Sequence, residues 1–312
     1  MNTLTIDHVL ITRFNLPTAG RESLIRAREG WLRQRVSLFD TVCLPSVVKQ
    51  TSNNFQWLVY FDPESPEWFM EWIQQHESRG TFRAVFRTSI SNRELVFDLQ
   101  AVTGCRNDML MTTNLDNDDA LAADFVERLQ NAVKSSSRTA IYFQNGSIIH
   151  SQRFYLRRDR YNAFCTVVEP WIDPVTAWAD WHNRLALRMP TVIISGLPAW
   201  LQVVHGSNVS NAVHGRLAHP RSFETLFPHI LPAFSPPSPR QIWADTALKR
   251  PLREMKSICR RSIKLVALAA LGRDGLDRMK NWASAWGDRL LPAKPRLGVS
   301  SATVGRRSAS EN

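Results

Sequence analysis

The chain has 312 residues, 44% of them hydrophobic and 21% charged, which is typical of a globular protein and not of a disordered one. No stretch approaches the roughly 20 apolar residues that a helix needs to cross a bilayer, and the first residues lack the charged start and apolar core of a secretion signal. The four cysteines are scattered and include no Cys-x-x-Cys pair. This pattern argues against a zinc site or a disulfide scaffold and predicts a reducing, cytoplasmic location.

The net charge of +11 is concentrated at the C-terminal end of the chain. From Lys249 onward there are 15 Lys or Arg against 5 Asp or Glu, whereas the first 248 residues hold 24 basic and 23 acidic groups. A nearly neutral body excludes a nucleic-acid footprint across the whole protein, so we expect no nucleic-acid partner. The basic tail leaves one alternative open, a protein that binds nucleic acid or an anionic surface through its tail.

Strand and helix signals alternate through the first half of the chain, which predicts an α/β layer fold. The continuous apolar run from His8 to Phe14 is typical of a buried parallel strand, and Phe55 to Phe61 reads as a second strand that stops at Asp62. The remaining predicted elements are helices over Ile25 to Phe39, Leu44 to Gln50 and Trp68 to His76, a short strand over Phe82 to Phe86, an irregular segment, and a strand that starts at Met109.

The strand at Met109 runs into Asp116, Asn117, Asp118 and Asp119. Clustered carboxylates raise each other's pKa unless a positive charge lies between them, and hard oxygen ligands of this kind suit Mg²⁺ or Mn²⁺. A metal at the carboxyl end of a strand in an α/β protein is typical of a nucleotide site. The alternative is that Asp118 or Asp119 caps a following helix, in which apolar residues repeat every four positions from Leu121.

After this helix the periodicity shifts to short strands, predicted over 139–143, 147–150, 153–156 and 164–168, with Asn145-Gly146 as a tight turn. Four prolines between Leu231 and Pro239 indicate a boundary. The predicted organisation is a domain over residues 1–230, a Pro-rich linker over 231–248 and a basic extension over 249–312.

Basic residues recur every four positions in the extension, at Lys256, Arg260 and Lys264, and Trp282 and Trp286 lie one helical turn apart. A basic amphipathic helix with tryptophans suits the surface of an anionic membrane, so peripheral contact with the inner membrane surface is expected. The alternative is a helix that packs on the preceding domain with its charges in water. The last twenty residues have the composition of a disordered end.

Three segments together carry a resemblance to a known family: Cys43 to Thr51, Trp57 to Asp62 and Thr112 to Leu121. Over roughly residues 6 to 230 the chain resembles the bacterial rhamnosyltransferase family, a branch of the GT-A-type glycosyltransferases. The resemblance implies a GT-A-like, Rossmann-type mixed sheet flanked by helices. It also implies metal-dependent transfer of a sugar such as rhamnose from a nucleotide-sugar donor to a saccharide or lipid-linked saccharide acceptor, in bacterial surface polysaccharide synthesis.

The same resemblance implies roles for individual residues. Asp62 would face the nucleotide base or ribose, and Asp116 and Asp118 match the Asp-x-Asp motif that holds Mn²⁺ or Mg²⁺ on the donor's diphosphate. Asn117 and Arg13 are predicted to contact the nucleotide-sugar as well. GT-A enzymes often add a late histidine as a metal ligand, which predicts His205, with His214 and His219 as alternatives. Asn114 stands where the family often has arginine.

An inverting transferase also needs a carboxylate that deprotonates the acceptor hydroxyl. Glu169 and Asp173 are predicted for this role, Glu169 first because it ends an apolar strand, with Asp180 a further candidate. The alternative for Glu169 is an ion pair with a nearby arginine. Tryptophans 171, 178 and 181 either stack on an acceptor sugar or pack in the core. A metal-dependent phosphohydrolase built on the same acids is the remaining alternative function.

Overall fold

A computed structural model describes residues 5–17, 26, 29–134, 136–205 and 213–255. The predicted basic helix from Lys256 onward lies outside these residues. Residues 1–254 group into one compact unit, so the boundary predicted at residue 230 falls inside it. Within the described part of the chain, no helix is both long and apolar enough to cross a membrane.

The larger of two sheets has seven strands in the order β10-β6-β9-β4-β1-β2-β3. Their bounds are β1 (Ile6–Arg13), β2 (Gln56–Phe61), β3 (Arg83–Phe86), β4 (Met109–Asn114), β6 (Thr139–Phe143), β9 (Thr166–Pro170) and β10 (Thr191–Ile194). β1 to β4 are parallel to one another, and β9 runs antiparallel between β4 and β6. The predicted mixed α/β sheet is therefore confirmed.

Helices cover both faces of this sheet. They are α1 (Trp31–Leu38), continued by a π-helical turn (Phe39–Cys43) into α2 (Leu44–Val48), then α3 (Glu67–Ser78), α4 (Asn92–Thr103) and α5 (Phe125–Ala132). Neighbouring residues of a strand point to opposite faces, and so Leu10 packs in one apolar cluster while Val9 and Ile11 pack in the other. Burial on both faces explains why the central strands read as continuous apolar runs.

The smaller sheet has five strands in the order β12-β8-β7-β11-β5. Their bounds are β5 (Ala120–Leu121), β7 (Asn145–His150), β8 (Arg153–Arg158), β11 (Trp200–Val203) and β12 (Arg216–Leu217). The segment predicted as a linker packs on this side of the unit. Leu231 is fully buried there, and Asp245 accepts a hydrogen bond from the Leu217 N–H at 2.9 Å and pairs with Arg253 at 2.6 Å. Within it lie a 3₁₀ turn (Leu231–Ala233), α6 (Pro239–Ala244) and a π-helical turn (Asp245–Lys249).

Helix α4 lies in the segment that was predicted to be irregular. It begins with a capping box, in which the Ser91 hydroxyl accepts from the Glu94 N–H and the Glu94 carboxylate accepts from the Ser91 N–H, and it ends at Gly104 with a φ of 69°. Both signals are visible in the sequence. The helix covers the second face of the sheet through Leu95 and Leu99.

The predicted turn at Asn145-Gly146 is also wrong, because both residues belong to β7. The hairpin turn lies instead between β7 and β8, where Ser151 and Gln152 have φ angles of 47° and 58°. Gly146 is needed for packing: a Cβ added there would lie 2.0 Å from Cδ2 of Trp200. A glycine in a strand thus marks a close approach and not a turn.

Candidate active site

A cleft of about 680 Å³ opens where β1 and β4 end, and this volume lies in the usual range of small-molecule sites. β1 lies between β2 and β4. Successive strands are therefore added on one side of β1 as far as β3, and the chain then crosses to the other side of β1 to form β4. The topological switch point of the sheet lies between β1 and β4. Ligands of open α/β sheets bind outside the carboxyl ends of the strands at such a switch point. Among the residues that line the cleft are Arg13, Asn114, Asp116, Asp159, Trp178, Asp180 and Trp181.

Asp116 follows β4 and presents its carboxylate to this cleft. Asn114 Nδ2 donates one long hydrogen bond to it at 3.4 Å. Desolvation, together with the negative charge of Asp118, raises the pKa of Asp116 to about 6. A carboxyl group in this environment is stabilised in its ionised form by a cation.

Asp118 is buried, and its partners include Arg35 and His205. Its Oδ2 lies 2.5 Å from Nη1 of Arg35 and 2.9 Å from Nε2 of His205. Burial by itself raises the pKa of Asp118, but the hydrogen bond from His205 and the charge of Arg35 outweigh it and bring this pKa below its usual value. His205 lies two residues after the end of β11 and contacts the acidic motif through Asp118.

The helix-cap alternative for the acidic motif is wrong. Asp119 accepts a hydrogen bond from the Val203 N–H at 2.8 Å, which joins the motif to β11. Leu121 lies in β5, and α5 begins only at Phe125, after Asp124 at the N-cap position. Burial and the neighbouring carboxylates raise the pKa of Asp119 well above its usual value.

In the described ranges, no three His, Cys, Asp or Glu side chains are grouped so that they could hold a metal ion. Asp116 nevertheless fits a cation: it is a carboxylate on the cleft, and in the part of the chain that the structure describes its carboxylate accepts only the long hydrogen bond from Asn114. Mg²⁺ often takes one or two protein carboxylates and completes its shell with phosphate oxygens and water.

The three other residues predicted to bind the donor lie at the same edge of the sheet but in different settings. Arg13 is exposed to the cleft, with Cζ 4.2 Å from the Trp178 ring centroid. Asn117 is turned inward, where its Nδ2 donates to the Phe14 carbonyl at 2.6 Å. Asp62 follows β2 and pairs with Arg26 at 3.2 Å.

The structure places Glu169 away from the cleft. It is fully buried and pairs in register with Leu110, near the start of β4, whereas the cleft lies where β4 ends. Its carboxylate accepts hydrogen bonds from Arg138 Nε at 2.6 Å and from the Thr176 N–H at 2.8 Å. This is the ion pair considered as the alternative role for Glu169. Asp173 is exposed in the loop after β9 and does not line the cleft.

Asp180 does line the cleft. Its Oδ1 accepts from the Trp181 N–H and its Oδ2 from Arg188 Nε, each at 2.8 Å. The backbone hydrogen bond from Trp181 and the nearby arginines lower its pKa, so Asp180 is ionised at neutral pH. Trp181 lines the cleft too and is 73% exposed. This exposure distinguishes it from Trp178, whose Nε1 donates to Asn114 Oδ1 at 2.7 Å.

A family model described as "Putative rhamnosyl transferase" matches residues 7–217. The match covers more than half of the chain, so the chain belongs to this family, and the resemblance seen in the sequence is confirmed. No curated protein matches the chain significantly.

Among solved structures, the chain is similar to S. aureus TarS 1-349 in complex with UDP-GlcNAc, at 8% identity and a TM-score of 0.43, over 70% of this chain and 64% of that one. It is also similar to the inositol-1-phosphate CTP transferase from T. maritima, at 9% identity and a TM-score of 0.36, over 72% and 97% of the two chains. The chain spans less than two thirds of the TarS structure. Likeness of this degree carries no functional argument.

Proposed function

We propose that the protein is a metal-dependent glycosyltransferase that moves a sugar from a nucleotide-sugar donor to a saccharide acceptor. The observation that carries the proposal is Asp116: a carboxylate on the cleft, at the switch point of the sheet, whose one side-chain hydrogen bond among the described residues is the long one from Asn114. Family membership supports the transferred group being rhamnose.

Asp116 would hold Mn²⁺ or Mg²⁺, with Asp118 and His205 beside it. The metal would act as a Lewis acid that stabilises the negative charge on the leaving diphosphate. Arg13 extends its guanidinium over the same cleft and supplies a second positive charge for the phosphates. Asp62, at the end of β2, is proposed to face the nucleoside part of the donor.

The acceptor side of the cleft is proposed to contain Asp180 and Trp181. Asp180 is an ionised carboxylate on this side of the cleft, and two hydrogen bonds fix its orientation, so we assign to it the proton of the attacking hydroxyl. An exposed tryptophan beside it offers an apolar face and an N–H, both of which suit a sugar ring. The acceptor is a saccharide or a lipid-linked saccharide, destined for a bacterial surface polysaccharide.

Cys43, Cys105 and Cys165 are free thiols, which supports a reducing, cytoplasmic compartment. Peripheral contact with the inner membrane surface through the basic extension is proposed from its sequence alone. The near neutrality of the first 248 residues argues against a nucleic-acid-binding protein.

A thermal-shift screen tests the proposal. UDP-, dTDP- and GDP-sugars, each with and without Mn²⁺, are added to the full chain. We expect one nucleotide to raise the melting temperature only when Mn²⁺ is present, because a ligand that binds the native state stabilises it by mass action. Stabilisation by every nucleotide without metal would contradict the proposal.

A separate measurement of donor hydrolysis tests the alternative function. Hydrolysis of the donor at full rate, with no gain from any acceptor, would favour a phosphohydrolase.

Trp181 allows a separate test of the acceptor side. Trp181→Ala should raise the acceptor KM about tenfold, the order of magnitude of one lost aromatic contact, and should leave the metal-dependent donor stabilisation unchanged. Trp243, which is 67% exposed on α6 and does not line the cleft, provides the matched control as Trp243→Ala. An unchanged acceptor KM in Trp181→Ala would remove Trp181 from the acceptor site.

A further inference from the structure

Arg35, on α1, is turned into the acidic motif and away from solvent. Its side chain is 13% exposed and its Nη1 lies 2.5 Å from Asp118 Oδ2. The same Nη1 donates to Asn117 Oδ1 at 3.1 Å, and its Cζ lies 5.6 Å from the Trp31 ring centroid. Arginine stays charged at any physiological pH, so this arrangement places a fixed positive charge inside the proposed metal site.

A divalent cation at this site must compete with Arg35. The Oδ2 of Asp118 already accepts hydrogen bonds from both Arg35 and His205, so it has little capacity left for a metal. A cation on Asp116, two residues away, would be repelled by this guanidinium, which is itself largely shielded from solvent. Both effects weaken the binding of metal alone.

The diphosphate of a donor changes this balance. Its negative charges attract the metal and Arg35 together, and they offset the repulsion between the two cations. The Nε–H of this guanidinium is buried and meets no acceptor among the described residues.

We infer that Arg35 is a positioning residue that acts as a counter-cation of the acidic motif: it keeps divalent metal weakly bound until a nucleotide diphosphate arrives, so that metal and donor bind together. The inference rests on the proposed function and adds a binding order to it. According to this inference, Asp118 mainly accepts hydrogen bonds from Arg35 and His205, and Asp116 is the carboxylate that binds the metal.

The test measures Mn²⁺ affinity by electron paramagnetic resonance on the full chain, with Mn²⁺ alone and with UDP, GDP or dTDP added. Arg35→Gln should bind Mn²⁺ alone about tenfold more tightly than the unmodified chain, because a nearby like charge has been removed. Arg35→Lys keeps the charge and should stay within about twofold of the unmodified chain. Arg33→Gln is the matched control on the same helix, since Arg33 is exposed and stacks over Trp68 at 4.3 Å.

Nucleotide should tighten Mn²⁺ binding more in the unmodified chain than in Arg35→Gln. Equal Mn²⁺ affinities of Arg35→Gln and the unmodified chain would overturn the inference and leave the proposed function standing. Absence of Mn²⁺ binding in every variant, with every nucleotide, would overturn both. If Arg35→Gln does not fold, Arg35→Met, which keeps the packing on Trp31, replaces it with the same expected result.

Discussion

Asp116→Asn is expected to lower the rate of sugar transfer about 1,000-fold, because metal stabilisation of a leaving group contributes several kcal/mol to the transition state and each 1.4 kcal/mol is about tenfold. The amide has nearly the same shape but no charge, so the cleft should keep its form. Mn²⁺ binding, followed by electron paramagnetic resonance, and transfer, followed by nucleotide release with acceptor present, are both measured.

Asp124→Asn is the control for this experiment. Asp124 lies four residues before Arg128 and pairs with it at 3.3 Å at the start of α5, and it does not line the cleft. Its variant should retain Mn²⁺ affinity and transfer. If Asp116→Asn bound Mn²⁺ and transferred sugar as well as the unmodified chain, the cation would have to bind elsewhere and the proposed function would lose its main support.

From the sequence alone, it was possible to locate those site residues that come directly after one strand, β4. Asp116 could be placed because an apolar run that ends in carboxylates marks the end of a buried strand, and parallel neighbours bring such ends to one edge. The α/β class was predictable for the same reason. Asp118 follows the same strand, but its partner Arg35 lies 83 positions earlier, and no local pattern indicates that pair.

The proposed acceptor side was harder to predict, because its position depends on how the sheet is assembled. β9 runs antiparallel, so its first residue, and not its last, lies at the cleft edge. Glu169, near the end of β9, therefore lies at the opposite end of the sheet from the cleft. Asp180, in the segment that follows β9, lines the cleft. Strand direction is set by pairing between distant residues, which a periodicity of two along one strand does not reveal.

Asp180→Asn is expected to reduce the rate of transfer by about 100- to 10,000-fold, the usual contribution of a general base. The amide oxygen can still accept from the Trp181 N–H, so the loop should keep its position while the proton acceptor is lost. Metal-dependent stabilisation by the donor nucleotide should be unchanged, because Asp180 lies on the proposed acceptor side. Transfer rates are measured with saturating donor and acceptor, and donor binding by thermal shift.

Two matched variants decide between the candidate bases. Glu169→Gln should keep the rate of transfer but lower the free energy of unfolding by about 1–3 kcal/mol, because it removes the charge that Arg138 and two backbone N–H groups bind. Asp159→Asn removes another cleft carboxylate, one that pairs with Arg157, and should retain most of the activity. A large rate loss in Asp159→Asn with full activity in Asp180→Asn would assign the base to Asp159. A rate loss in Glu169→Gln without loss of stability would return that role to Glu169, in spite of its distance from the cleft.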